Sequence, residues 1–123
     1  MKILVTGANG QLGSELRFLS LNNNQHEWIF TDIHELDLSD LKNLDSNISK
    51  ISPSLIINCA AYTSVDKAES ENKLANILNF KAVDLMSKWS SNNSKKFIHI
   101  STDYVFDGNS KIPLKEDELT API

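Results

Sequence analysis

Thirteen residues at the start of the chain constrain its fold more than any others. Ile3, Leu4 and Val5 form an apolar run that leads straight into Gly7, Gly10 and Gly13, and a helical pattern begins at once. That order predicts a buried strand, a tight glycine turn and a helix N-terminus. Backbone N–H groups at such a turn face outward, and the helix dipole adds partial positive charge. The product is a cradle for a pyrophosphate. Glycine also serves ordinary strand-to-helix turns, so the triplet identifies a turn before it identifies a ligand.

The rest of the chain alternates between strand and helix patterns. Residues 2–6 read as a strand. Residues 11–21 read as a helix with Leu12, Leu16 and Leu19 on one face. Trp28-Ile29-Phe30 is a second strand, closed by Thr31-Asp32, and residues 35–38 suggest a short third one. Ser39-Asp40 is placed to cap a helix running to about Ser49, which Pro53 stops. Residues 55–60 form a fourth strand. Residues 66–91 are mostly helical, with a break near Glu71-Asn72. Their stripe of Leu74, Leu78, Ala82, Leu85 and Trp89 reads as sheet-packing surface. Residues 97–101 form a fifth strand. From Tyr104 onward the pattern is irregular, with Gly108, Pro113 and Pro122.

Strands alternating with helices predict an α/β fold: a Rossmann-like, doubly wound parallel sheet with helices on both faces, in strand order 3-2-1-4-5. A chain of 123 residues predicts one domain over 1–123. Ligands of such sheets bind beyond the strand C-termini. The candidate functional residues fall there: Gly7, Gly10 and Gly13 after the first strand, Asp32 after the second, Asp37 after the third. Ala61, Tyr62 and Thr63 follow the fourth, and Thr102 and Asp103 the fifth.

Net charge is −4, and no basic cluster is denser than Lys95-Lys96. That excludes nucleic acid and anionic membrane as the expected partners. A phosphorylated ligand must then be held mostly by backbone N–H groups. Cys59, the one cysteine, lies in an apolar run and reads as a small core residue. The absence of a disulfide framework fits a reducing compartment, and without a signal pattern or a long apolar run the expected location is cytoplasmic. His26, His34 and His99 show no ligand spacing, so no metal site is expected. His99 reads as a hydrogen-bonded core histidine.

Four stretches carry a resemblance. They are Val5-Thr-Gly-Ala-Asn-Gly-Gln-Leu-Gly13, Asn58-Cys-Ala-Ala-Tyr-Thr63, Val65-Asp-Lys-Ala-Glu-Ser70 and His99-Ile-Ser-Thr-Asp-Tyr-Val-Phe-Asp-Gly108. Together they resemble the extended, sugar-nucleotide-modifying short-chain dehydrogenases/reductases, and within them the dTDP-4-dehydrorhamnose reductase family. The resemblance implies an oxidoreductase that transfers hydride from NADPH or NADH to the C4 ketone of dTDP-4-dehydro-L-rhamnose. It places Gly10, Gln11 and Leu12 at the cofactor pyrophosphate. Asp32 falls at the adenosine ribose, and Asp37 and Leu38 beside the adenine. Ala61, Tyr62 and Thr63 fall on the nicotinamide side. Thr102 takes the catalytic position against the reacting carbonyl, and Asp103 the substrate side.

The residues leave other readings open. Asp32 also suits a turn or a helix cap, and Asp37 a local cap with Ser39 and Asp40. Tyr62 could pack on a helix end, and Thr102 could simply solvate a strand end. A carboxylate at Asp32 repels a 2′-phosphate, and no arginine follows the strand to receive one. Physics alone therefore favours NADH, although family members can accept both. The family's proton donor is a Tyr-x-x-x-Lys pair, and here Tyr62 is followed four on by Asp66 and Tyr104 by Gly108. The expectation is an N-terminal part of a reductase, ending before the Tyr/Lys helix and inactive alone, its fifth strand an exposed edge able to form a homodimer. The alternatives are a non-catalytic dinucleotide-binding or regulatory module, and a different sugar-nucleotide reductase or epimerase.

Overall fold

A computed structural model describes residues 1–121, apart from the side chain of Asp103. The Pro122 assigned to the irregular tail lies outside the described residues. Four strands form one parallel sheet: β1 (Lys2–Thr6), β2 (Glu27–Thr31), β3 (Leu55–Asn58) and β4 (Lys96–His99), in order β2-β1-β3-β4. Between them run α1 (Gln11–Ser20) and α2 (Leu44–Ile51). After β3 come α3 (Val65–Ala68), α4 (Asn72–Asn76), a π-helical turn over Ile77–Lys81, and α5 (Ala82–Asn92). A 3-10 turn, Asp103–Val105, follows β4.

The strand register explains the two faces. Ile29, Leu4, Ile56 and Phe97 are paired across the sheet and project to one side. There they meet Leu44 and Ile48 of α2 and Ala82, Met86 and Trp89 of α5. Burying each leucine, isoleucine or methionine among them stabilises by roughly 1.5–3 kcal/mol. The alternate residues Ile3, Val5 and Leu55 face the other side, with Leu16 of α1, Trp28 and Phe30 against them. Arg17 of α1 sits over the Phe30 ring, 5.0 Å from its centre. Helices thus cover both faces, as expected of a doubly wound sheet.

One expected strand is not there. Residues 35–38 form turns, so the order 3-2-1-4-5 reduces to four strands without its outermost member. The alternation that suggested a strand is real, because Leu36 and Leu38 are both buried in the core. The backbone, however, bonds locally. The Asp32 carbonyl accepts from the N–H groups of Glu35 and Leu36, at 3.1 and 2.8 Å. Asp37 Oδ1 accepts from Ser39 N–H and Ser39 Oγ–H, at 2.8 and 2.7 Å. Such side-chain turns compete with a ladder.

The helix expected from Ser39 begins later, at Leu44. Asp40 is spent on a turn instead: its carbonyl accepts from Asn43 and Leu44 N–H, and its carboxylate from the Asn43 amide. Ser52 then takes a left-handed conformation (φ 52°) that ends α2 before Pro53. The break near Glu71-Asn72 is present between α3 and α4. The π-helical turn had no signal in the spacing of apolar residues. The last strand is one residue earlier and shorter than expected, Lys96–His99.

Candidate functional site

All the candidate segments gather along the C-terminal edge of the sheet, because parallel strands place every strand end on the same side. The glycine turn follows β1. Gly7 holds φ +66°, and a Cβ there would lie 2.6 Å from both Cα and N of Ala60. A Cβ on Gly13 would come within 2.3 Å of the Gly7 carbonyl oxygen. Only glycine permits this turn to close against both α1 and the chain after β3. Gly10 caps α1 with no side-chain partner, leaving the first-turn amides of the helix outside the intrahelical ladder.

Asp32, at the end of β2, reaches back to this turn. Its Oδ2 accepts from Asn9 N–H at 2.8 Å and its Oδ1 from Ile33 N–H at 2.9 Å. Glu35 Oε2 accepts from Asp32 N–H at 2.9 Å. The turn reading of Asp32 and the ligand reading are therefore compatible: the carboxylate braces the glycine turn and lines a cavity as well. That cavity holds about 370 Å³ and is lined by Gly7, Gly10, Asp32, Asp37, Leu38, Ala61 and apolar neighbours that include Leu36, Leu74 and Leu78. Its size suits a small ligand. No lysine or arginine lines it.

A second cavity, about 830 Å³, shares Cys59 and Ala61 with the first. Tyr62, Thr63 and Thr102 line it, with Asn79, His99 and Tyr104. Thr102 Oγ1 accepts from Tyr104 N–H at 3.2 Å. The Tyr62 hydroxyl donates to Glu71 at 2.8 Å, and that hydrogen bond raises the phenol above its ordinary 10.0, with burial and the Glu71 charge adding to it. Burial pushes the Cys59 thiol up as well, so it is a protonated lining residue, half-buried rather than fully in the core. Desolvation of the partly covered ring lowers the pKa of His99 from its ordinary 6.5. His99 is hydrogen-bonded, as expected, but lies exposed on β4 and not in the core.

Of the expected site residues, the structure brings Gly7, Gly10, Asp32, Asp37, Leu38, Ala61, Tyr62, Thr63 and Thr102 to the two neighbouring cavities. Gln11, Leu12 and Gly13 line neither. Gly13 is buried beneath the turn, where it serves packing. The side chain of Asp103 lies outside the described residues. Asn79, and Asn58 which opens one of the four stretches quoted above, carry no assigned role in the sequence reading. A fully buried asparagine closing an apolar strand was the available signal for Asn58. Nothing in the spacing marked Asn79. Among the described residues no group of three or more His, Cys, Asp or Glu could hold a metal ion. No described helix is long and apolar enough to cross a membrane.

Comparison with known proteins matches residues 1–123 to the model of the RmlD substrate binding domain. A dTDP-4-dehydrorhamnose reductase from Aggregatibacter actinomycetemcomitans is 38% identical over 122 residues, covering 99% of this chain and 42% of that protein. The structure of a dTDP-4-dehydrorhamnose reductase from Clostridium acetobutylicum superposes with a TM-score of 0.93 at 38% identity, over 99% of this chain and 43% of the other. A Bacillus anthracis dTDP-4-dehydrorhamnose reductase, solved in complex with NADP, gives a TM-score of 0.89 at 36% identity, over 98% and 43%. The chain therefore spans about two fifths of the length of these relatives.

Proposed function

The chain belongs to the RmlD substrate binding domain family, and from that premise we propose that it forms the NADPH- or NADH-binding part of a reductase acting on a dTDP-linked 4-keto sugar, dTDP-4-dehydro-L-rhamnose in the first instance. The observation that carries this reading is the pair of neighbouring cavities that share Cys59 and Ala61. One is bounded by the glycine turn and Asp32, the other by Tyr62 and Thr102. A dinucleotide has the same division into two ends, adenosine and nicotinamide, linked by a pyrophosphate.

The residues present fit such a group. Gly7 and Gly10 remove the side chains that would block close approach of a pyrophosphate to the backbone, and α1 begins beside them. Gln11 and Leu12 supply first-turn amides. Asp32 accepts from ribose hydroxyls with the lone pairs its own backbone donors leave unused. Asp37 and Leu38 border the adenine, and Ala61, Tyr62 and Thr63 the nicotinamide. The bound cofactor would supply the hydride. Thr102 would hydrogen-bond the substrate ketone, and Asp103 would hold the sugar. Cytoplasmic location, a single domain over 1–123 and a homodimer belong to the same proposal.

The second reading is a dinucleotide-binding module without turnover. Residues 1–123 hold two tyrosines, Tyr62 and Tyr104, and neither is followed four residues on by lysine, so a tyrosine tuned by a lysine is not supplied by these residues themselves. Calorimetric titration with NADH and NADPH tests the dinucleotide site that both readings share, and an assay for ketone-dependent oxidation of the reduced cofactor, run on the product of the whole coding sequence, separates them. Turnover there supports the reductase. Binding without turnover there supports the module. No binding of either dinucleotide overturns both.

A further inference from the structure

Three strand ends meet in one polar row. Thr6 closes β1, Asn58 closes β3 and His99 closes β4, and the parallel register sets them side by side. Thr6 and Asn58 are fully buried. Thr6 Oγ–H donates to Asn58 Oδ1 at 2.6 Å, and Ala60 N–H donates to the same oxygen at 3.1 Å. Asn58 Nδ2 meets His99 Nδ1 at 3.0 Å.

The chemistry of these groups fixes every proton in the row. A backbone N–H can only donate, so the atom facing Ala60 is the amide oxygen of Asn58. The amide nitrogen must then face His99, and it too can only donate. His99 Nδ1 is therefore a bare acceptor, and the imidazole is neutral with its proton on Nε2. A cationic ring, or the other tautomer, would set two donors against each other.

The row ends at a position where little movement is allowed. Ala60 is the residue against which Gly7 is pressed, with no room for a single Cβ between them. Both residues line the first cavity. The orientation of one buried amide thus sets the wall on which the glycine turn rests.

We propose that His99 is a positioning residue for the dinucleotide site: it orients the Asn58 amide, and Asn58 holds the Cys59–Ala60 segment against Gly7. This rests on the dinucleotide reading above. His99 also lines the second cavity, but the role proposed for it acts through Asn58. Its ring also stacks on Phe97, with centroids 6.2 Å apart and planes within 2°, so a ring variant can keep the stack and lose the acceptor.

Two substitutions and one spectrum test this. His99→Phe keeps the stacked ring and leaves Asn58 Nδ2 without an acceptor. Its Kd for NADH is expected to rise about tenfold. His99→Asn sets an amide oxygen near the Nδ1 position and is expected to return within about twofold of the unsubstituted protein. Nitrogen-15 NMR of the imidazole should show a protonated Nε2 and a bare Nδ1. Ala60 N–H should exchange slowly in the unsubstituted protein and in His99→Asn, and fast in His99→Phe. The proposal is overturned by unchanged affinity in His99→Phe, by a failure of His99→Asn to rescue, or by a proton on Nδ1. The tautomer is read on the unsubstituted protein and stands even where His99→Phe does not fold. If the unsubstituted protein binds neither dinucleotide, the functional reading fails. The tautomer and the Ala60 exchange rate then still decide whether His99 orients Asn58.

Discussion

Asn79 grips the backbone of Tyr62 with both ends of its amide. Its Oδ1 accepts from Tyr62 N–H at 2.7 Å, and its Nδ2 donates to the Tyr62 carbonyl at 3.0 Å. Asn79 lies in the π-helical turn of Ile77–Lys81. One widened turn inside an otherwise α-helical run changes which side chains face the sheet edge, and π turns recur at functional sites for that reason. Here the turn delivers an asparagine to a segment that has no strand neighbour of its own.

Replacing Asn79 by leucine removes both bonds. Amide exchange at Tyr62 should accelerate, and affinity for NADH should fall about fivefold. Asn79→Asp keeps the acceptor for Tyr62 N–H but turns a carboxylate toward the Tyr62 carbonyl. It should fall between leucine and the unsubstituted protein. Hydrogen exchange with calorimetric titration on the three proteins checks the order. Equal affinity in all three would show that the grip is immaterial to binding.

The glycines differ in what they tolerate. A Cβ on Gly13 meets the Gly7 carbonyl at 2.3 Å and Ala8 Cα at 2.6 Å, both backbone atoms that cannot swing away. Gly13→Ala should cost about 3 kcal/mol of stability. At Gly10 the nearest atom is 3.3 Å away, so Gly10→Ala should keep the fold and weaken dinucleotide binding. Gly108 has φ +71° with open space around it, and alanine there should cost about 1 kcal/mol through strain alone. Urea denaturation of the three variants gives the ranking. A Gly13→Ala protein as stable as the Gly10→Ala protein would contradict this account of the turn.

Much of this was legible in the sequence, for identifiable reasons. The glycine turn was readable because a strand, a turn and a helix start leave a local signature. Helices on both faces were readable because strand and helix patterns alternate along the chain, whereas the face that each of Ile3, Leu4 and Val5 takes was not, because the run is apolar throughout. Residues 35–38 misled because alternation reports which side chains are buried, and it does not report which backbone groups pair. Leu36 and Leu38 are buried from a turn. Asp40 misled because a good capping residue also makes a good turn residue. The Thr6–Asn58–His99 row and the Asn79–Tyr62 grip span 52, 41 and 17 residues of sequence. No local pattern encodes contacts at that separation. They follow only once the strand register and the π turn are fixed.

Asp32 sets the expectation for cofactor choice. A carboxylate at the ribose favours two free hydroxyls, and Glu35 adds a second negative charge beside it. No basic side chain lines the cavity to receive a 2′-phosphate. NADH should therefore bind more tightly than NADPH. Asp32→Asn should shift the ratio of the two affinities toward NADPH by about tenfold, while retaining an acceptor for Asn9 N–H. Parallel titrations measure the ratio. A protein that prefers NADPH before substitution would refute the repulsion argument.

His99 should also shape the response to acid. Partial desolvation of the ring holds its folded-state value below the ordinary 6.5. The unfolded chain then takes up a proton first as pH falls, so the unfolded state binds more protons and stability declines. The contribution is intact above about 6.5. It is lost progressively below that, until the folded ring also titrates. Cys59 and Tyr62 share the cavity with it, and both are shifted upward, so neither titrates in this window. Tm measured between pH 7.5 and pH 5.5, a range set around the ordinary histidine value of about 6.5, should fall more steeply for the unsubstituted protein than for His99→Asn. Parallel slopes would remove His99 from the acid response.

The edge of the sheet carries the last expectation. β4 is an outer strand, and Ile98 and Ile100 are each 46% exposed beside it. On the face that Ile98 shares with Val5 and Phe30, α1 contacts β2, at the opposite side of the sheet. An outer strand offers unpaired backbone groups to a second copy, and exposed isoleucine adds an apolar reward for pairing. Lys95 and Lys96 guard only the start of the strand. Association at high concentration should follow, with a light-scattering mass above one chain. Ile98→Lys extends the charged guard into the middle of the strand, faces solvent where the isoleucine is exposed, and should return the mass to one chain without lowering stability. A single-chain mass for the unsubstituted protein at every concentration would show that two lysines at the entry of β4 already suffice to block the edge.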